Sequence, residues 1–148
     1  MVKLKSFMLK IIIDTNVVIS FLITNSDFIK KIIELKNRRK AYLYSSTEIF
    51  EEIKNTLQKP KIKELLKVNP RKVASFMALY KYNLIFEEPY HSIDVCRDSK
   101  DNKFLELSKT IQADFLITGD KDLLELKQFE NTKILKPSEF IAKLDTIL

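Results

Sequence analysis

The chain has 148 residues and one glycine, Gly119. Average usage of roughly 7% would supply about ten. A G-x-G-x-x-G dinucleotide fingerprint, a Walker A phosphate loop and a nucleophile elbow all need more glycine than this, so all three are excluded. Phosphate chemistry here has to rest on something other than glycine-rich backbone. Cysteine is nearly as scarce. Cys96 stands alone, which rules out an intrachain disulfide and fits a reducing, cytoplasmic setting. His91 is the only histidine, so a zinc site of the Cys/His kind is excluded, and any serine–histidine or cysteine–histidine arrangement would have to pass through it. A long apolar run is also missing. Lys3, Lys5 and Lys10 lead into Ile11 to Ile23 in the manner of a signal peptide, but Asp14 and Asn16 interrupt the run and no small-residue cleavage site follows. The expectation is a buried strand followed by a buried helix, with no membrane segment.

What is present describes an ordinary globular chain. Hydrophobic residues make up 45% and charged residues 31%, with a net charge of +6 that permits a polyanionic partner without requiring one. The length suits one domain spanning residues 1–148. Met8 to Ile13 reads as a strand buried on both faces. Helices follow at Val17 to Leu22 and Asp27 to Lys36, then a strand at Ala41 to Tyr44. Ser46 or Thr47 caps a helix running to about Leu57, which Pro60 stops. Two further helices, Lys61 to Lys67 and Pro70 to Tyr82, precede a strand at Leu84 to Phe86. Asp101 caps a helix through Thr110, with Phe104, Leu105, Ser108 and Ile111 facing inward. Asp114 to Thr118 and Thr132 to Leu135 complete the strands, with a helix after Gly119 and another opened by Pro137. Strands alternating with helices predict an α/β fold with a mainly parallel sheet of about four or five strands, covered by helices on both faces.

The carboxylates are placed unevenly. Asp14 follows the first strand, Glu48 and Glu52 lie on the helix after the second, Asp98 and Asp101 follow the third, and Asp120 with Asp122 follows the fourth. In an open parallel sheet the ligand crevice lies outside the carboxyl ends of the strands. Four separate segments thus deliver acids to one edge. Crowded carboxylates resist ionising unless a cation compensates them, and hard oxygen ligands favour Mg²⁺ or Mn²⁺. Each acid also has a structural reading. Asp14, Asp101 and Asp120 stand where aspartate caps a helix, and Glu52 alone could be a solvated helix residue.

Four stretches carry a family resemblance. They are Ile11-Ile12-Ile13-Asp14-Thr15-Asn16-Val17, Ser46 through Pro60, Cys96 through Leu107 with Asp98-Ser99-Lys100-Asp101-Asn102-Lys103-Phe104-Leu105, and Ala113 through Leu124 with Ile117-Thr118-Gly119-Asp120-Lys121-Asp122. In this order the chain resembles the PIN-domain ribonucleases, particularly the toxins of bacterial and archaeal toxin–antitoxin pairs. The resemblance implies a three-layer fold and a metal-dependent endoribonuclease. It implies that Asp14, Glu52, Asp101 and Asp120 are the catalytic acids and hold Mg²⁺ or Mn²⁺, with Asp98 and Asp122 as further ligands. Thr15, Asn16, Asn102, Thr118 and Gly119 take supporting places. It also implies an RNA substrate, a cognate antitoxin protein as partner, and a homodimer. Gly119 is expected to need a positive φ, or to leave no room for a Cβ, at the turn that aims Asp120.

Two basic clusters, Lys30 to Lys40 and Lys59 to Lys72, read either as solvated faces or as contacts to a nucleic-acid backbone. Tyr42, Tyr44, Tyr80, Tyr82 and Tyr90 read as packing or interface residues, or as platforms for splayed bases. His91 and Cys96 read as structural, while Arg97 is placed to pair with an acid or a phosphate. Two rival classes stand beside the ribonuclease: a non-catalytic PIN-like module binding RNA or protein, and a phosphatase of another α/β family. Haloacid-dehalogenase-like phosphatases place a second aspartate two residues after the nucleophile, where this chain has Asn16.

Overall fold

A computed structural model describes residues 8–67 and 70–147. Lys3 and Lys5, which gave the N-terminus its resemblance to a signal peptide, lie outside them. No helix among the described residues is long and apolar enough to cross a membrane.

The strands are β1 (Leu9–Ile13), β2 (Ala41–Ser45), β3 (Leu84–Phe86), β4 (Phe115–Ile117), β5 (Gln128–Phe129) and β6 (Thr132–Leu135). The helices are α1 (Thr15–Thr24), α2 (Phe28–Asn37), α3 (Thr47–Leu57), α4 (Pro60–Leu66), α5 (Pro70–Tyr82), α6 (Asn102–Ile111), α7 (Lys121–Leu126) and α8 (Pro137–Ile147), with a 3₁₀ turn at Ser99–Asp101 leading into α6. The sheet runs β3-β2-β1-β4-β6-β5. All pairings are parallel except β5 with β6. This is the expected α/β fold with a mainly parallel sheet. The sixth strand, β5, has only two residues and forms a tight antiparallel pair with β6, too short to leave a periodic signal in the sequence.

Alternation along β1 explains the layers. Ile11 and Ile13 point into a core built with α1, α2, α5 and α8, including Val18, Ile29, Ile32, Tyr80 and Phe140. Ile12 points the other way, with Leu116 and Ile134, into a second core made by Phe104, Leu105, Leu107 and Leu123. Successive strand residues face opposite sides, so an all-apolar run belongs to a strand covered twice. Fully burying each isoleucine contributes about 1.5–3 kcal/mol.

Pro60 follows the end of α3 as expected but, against expectation, belongs to the next helix, α4. Helix α3 ends at Leu57, and Pro60 occupies the first turn of α4 after an extended Lys59, where its missing N–H costs nothing. Gly119 also departs from expectation. It has no positive φ, and a Cβ built on it would meet nothing within 4 Å. The left-handed positions fall instead to Asn25, Arg39, Lys67, Gln112, Lys127 and Glu130. Of these, Asn25, Lys67 and Gln112 end α1, α4 and α6, where glycine is the usual choice. The scarcity of glycine is therefore absorbed by side chains that tolerate φ > 0 at some cost, not by an absence of such turns.

Candidate active site

From β1 the chain goes outward through β2 to β3, then returns to place β4 on β1's other side. The β1–β4 boundary is thus the topological switch point, where parallel sheets open their ligand crevice. Asp14 follows β1 and Thr118-Gly119-Asp120 follows β4, so both segments flank that opening. The Asp14 N–H donates to the carbonyl of Ile117 at 2.9 Å, fixing one chain end against the other. Side chains continue the link. The Thr118 hydroxyl donates to Asp14 Oδ2 at 2.6 Å and accepts from the Asp120 N–H at 3.0 Å. Thr118 is fully buried between the two acids.

The acids differ in whether they cap a helix. Asp120 does cap α7: Oδ1 accepts from the N–H groups of Asp122 at 2.7 Å and Leu123 at 3.2 Å. Asp14 caps α1 weakly, accepting from the Asn16 N–H at 3.3 Å. Asp101 precedes α6 yet makes no side-chain capping bond. Its residue is 9% exposed, and its Oδ2 is buried with no hydrogen-bond partner among the described residues. Helix capping therefore accounts for Asp120, in part for Asp14, and not for Asp101. One ligand oxygen each from Asp101, Asp120 and Asp122 lies within 4.8 Å of the others.

Burial and repulsion act together on these groups. Asp101 is pushed up to about 7, first by burial, then by the charge of Asp120 and a side-chain hydrogen bond shared with it, with Asp14 and Asp98 adding to it. Asp14 is raised as well, chiefly by burial; the Thr118 and Asn16 hydrogen bonds oppose this, while the charges of Glu52 and Asp120 add to it. Without a cation the cluster holds a proton it would give up to a metal. A buried, partnerless carboxylate oxygen within a set of hard oxygen donors fits a metal cation.

Glu52 reaches the site from α3, with Oε1 accepting from the Thr15 hydroxyl and Oε2 2.6 Å from the ammonium of Lys103. Glu48 and Glu51 are exposed, and Glu51 pairs with Lys54 at 3.3 Å instead. Asp122 meets the exposed Arg97 at 3.6 Å. Asp98 is exposed and caps the 3₁₀ turn, accepting from the Lys100 N–H at 3.0 Å. Asn102 binds backbone rather than any of the acids through its Oδ1. Its Oδ1 accepts from the N–H groups of Val95 at 3.3 Å and Cys96 at 2.9 Å, tying down the irregular segment before Asp98. Asn16 is exposed, and with Gly119, Asp120, Phe21 and Pro137 it lines a cleft of about 450 Å³ beside the acids.

Sequence reasoning missed Lys103. A lysine beside three acids reads as solvated, whereas this one is buried and paired. The available signal was its position, two residues after Asp101 on a helix whose next residues are apolar. Cys96, half-buried near the cluster, is pushed up to about 11 by burial and then by the four neighbouring aspartates, so it stays a neutral thiol. Tyr80 is buried and stacks on Phe76, while Tyr82 and Tyr90 are exposed.

Residues 10–122 fit the model of the PIN domain, a span that begins in β1 and ends on Asp122, so it contains all of the acids described above. The uncharacterized protein MJ1680 of Methanocaldococcus jannaschii is 32% identical over 157 aligned positions, covering 100% of this chain and 99% of the relative. With its acids gathered at the β1–β4 switch point and the domain model matched from Lys10 to Asp122, the chain belongs to the PIN-domain family.

Proposed function

We propose that this protein is a divalent-metal-dependent endoribonuclease acting as the toxin of a toxin–antitoxin pair. The observation that carries the nuclease reading is Asp101 Oδ2, a buried acceptor without a partner, grouped with Asp120 and Asp122. Asp14, Asp101, Asp120 and Asp122 would hold Mg²⁺ or Mn²⁺. A bound divalent ion offsets charge on the phosphoryl oxygens and acidifies water at neutral pH. Thr118 keeps Asp14 and Asp120 in fixed relation, and Thr15 orients Glu52 at the margin of the cluster. The cleft reaching Asn16 and Asp120 gives an RNA strand a place beside the acids. No histidine is required.

The toxin assignment rests on the resemblance of the motif set, and a cognate antitoxin and a homodimer follow from the same likeness. A small antitoxin gene adjoining this one would support it. The nuclease reading is tested by incubating purified protein with a mixed-sequence RNA in Mg²⁺ and in EDTA. Cleavage is expected with the metal and none with the chelator. Cleavage undiminished by EDTA would reject the reading.

A further inference from the structure

Both oxygens of Glu52 are already engaged, one by the Thr15 hydroxyl and the other by Lys103 Nζ at 2.6 Å. The Lys103 side chain is only 6% exposed. Its ammonium also donates to the Lys100 carbonyl and lies 4.9 Å from the centre of the Phe104 ring. Buried lysines are rare unless paired, and a buried ion pair that loses one partner leaves an uncompensated charge. Among the described residues the rest of the acid set has no comparable cation: Arg97, which meets Asp122 at 3.6 Å, is 88% exposed, and Asp101 Oδ2 has no partner. The acids thus fall into two groups: a pre-neutralised Glu52, and an uncompensated set of Asp101, Asp120 and Asp122 with Asp14 alongside.

We propose that Lys103 is a positioning residue that keeps Glu52 out of metal coordination, so that the site takes one divalent ion rather than two. A second ion on Glu52 would have to sit beside a buried ammonium already paired with that carboxylate, or displace it and strand that charge. The device is local to the sequence. Across Asp101-Asn102-Lys103, the first residue faces the cluster, the second holds the preceding loop, and the third neutralises Glu52. The inference rests on the proposed metal-dependent nuclease site.

The test is to titrate Mn²⁺ into the metal-free full-length chain, measuring ions bound per chain by calorimetry and by the EPR signal of free Mn²⁺. Wild type, Lys103→Arg and Glu52→Gln should each bind one ion, and Lys103→Met should bind two. Two ions on wild type with one lost in Glu52→Gln would overturn the role of Lys103 and leave metal-dependent cleavage standing. A folded Lys103→Met binding one ion would do the same. If Lys103→Met fails to fold, the comparison of wild type with Glu52→Gln decides: equal binding of one ion supports the inference, and a lost ion overturns it. Wild type binding no Mn²⁺ would overturn both this inference and the nuclease reading.

Discussion

Asp101 shows how one residue can be placed for chemistry at a cost to the metal-free fold. Burial and Asp120 raise it to about 7. A carboxyl raised above its unfolded value stabilises the fold at low pH, and that contribution is lost as pH rises through about 7. Metal-free protein should therefore lose thermal stability between pH 5 and pH 8 on account of this group, and Asp101→Asn should flatten the slope. Added Mn²⁺ should raise the melting temperature more at pH 8 than at pH 5, because the ion competes with the proton. Scanning calorimetry at the two pH values checks both. Asp14 and Asp120 were legible in the sequence because they follow the ends of β1 and β4, which are marked by apolar runs, whereas Glu52 lies inside α3 and Asp101 follows a long loop. Neither the pairing of Lys103 with Glu52 nor the turning of Asn102 toward Val95 and Cys96 was legible. Those contacts depend on which face of α6 the second core covers.

At the scale of elements, the helix starts follow ordinary capping chemistry. Ser46 accepts from the Ile49 N–H at 3.2 Å and opens α3, the helix that carries Glu52. The helix ends are less conventional, since a chain with one glycine closes α6 with Gln112 at φ 54°. An L-residue in this region is strained by roughly 1–2 kcal/mol, while glycine adds about 0.5–1 kcal/mol of unfolded-state entropy. Gln112→Gly should accordingly stabilise the protein slightly, by up to about 1 kcal/mol, as measured by urea unfolding. The strand pattern of β1 to β4 was readable from composition. β5 was not, because a two-residue strand is set by its pairing with β6 rather than by its own residues. The expected constraint at Gly119 failed for a related reason: the turn into α7 is set by the Thr118 and Asp120 hydrogen bonds, and open space surrounds the glycine.

Across the whole molecule, acids occupy the switch-point edge of the sheet while the chain carries a net charge of +6. Lys59, Lys61, Lys63, Lys67 and Lys72 are exposed around α4 and the start of α5, and Lys30, Lys31, Arg38, Arg39 and Lys40 are exposed on and after α2. If these surfaces hold an RNA backbone, association with single-stranded RNA should weaken steeply as salt rises, with log K falling by about 0.7 per phosphate neutralised for each decade of salt. Fluorescence anisotropy with the Asp14→Asn protein, which avoids cleavage, measures that slope. A flat salt dependence would remove both basic clusters from substrate binding.

Asp14 is the acid most firmly built into the β1–β4 boundary, where the proposed metal-dependent RNA cleavage would take place. The direct measurement is the cleavage rate of a mixed-sequence RNA in Mg²⁺ by wild type and Asp14→Asn, both shown by circular dichroism and melting to be folded. Removing a preorganised charge from such a site costs on the order of 100-fold or more in rate. A loss of at least that size in a folded variant is the predicted result, and cleavage by Asp14→Asn at the wild-type rate would contradict the account.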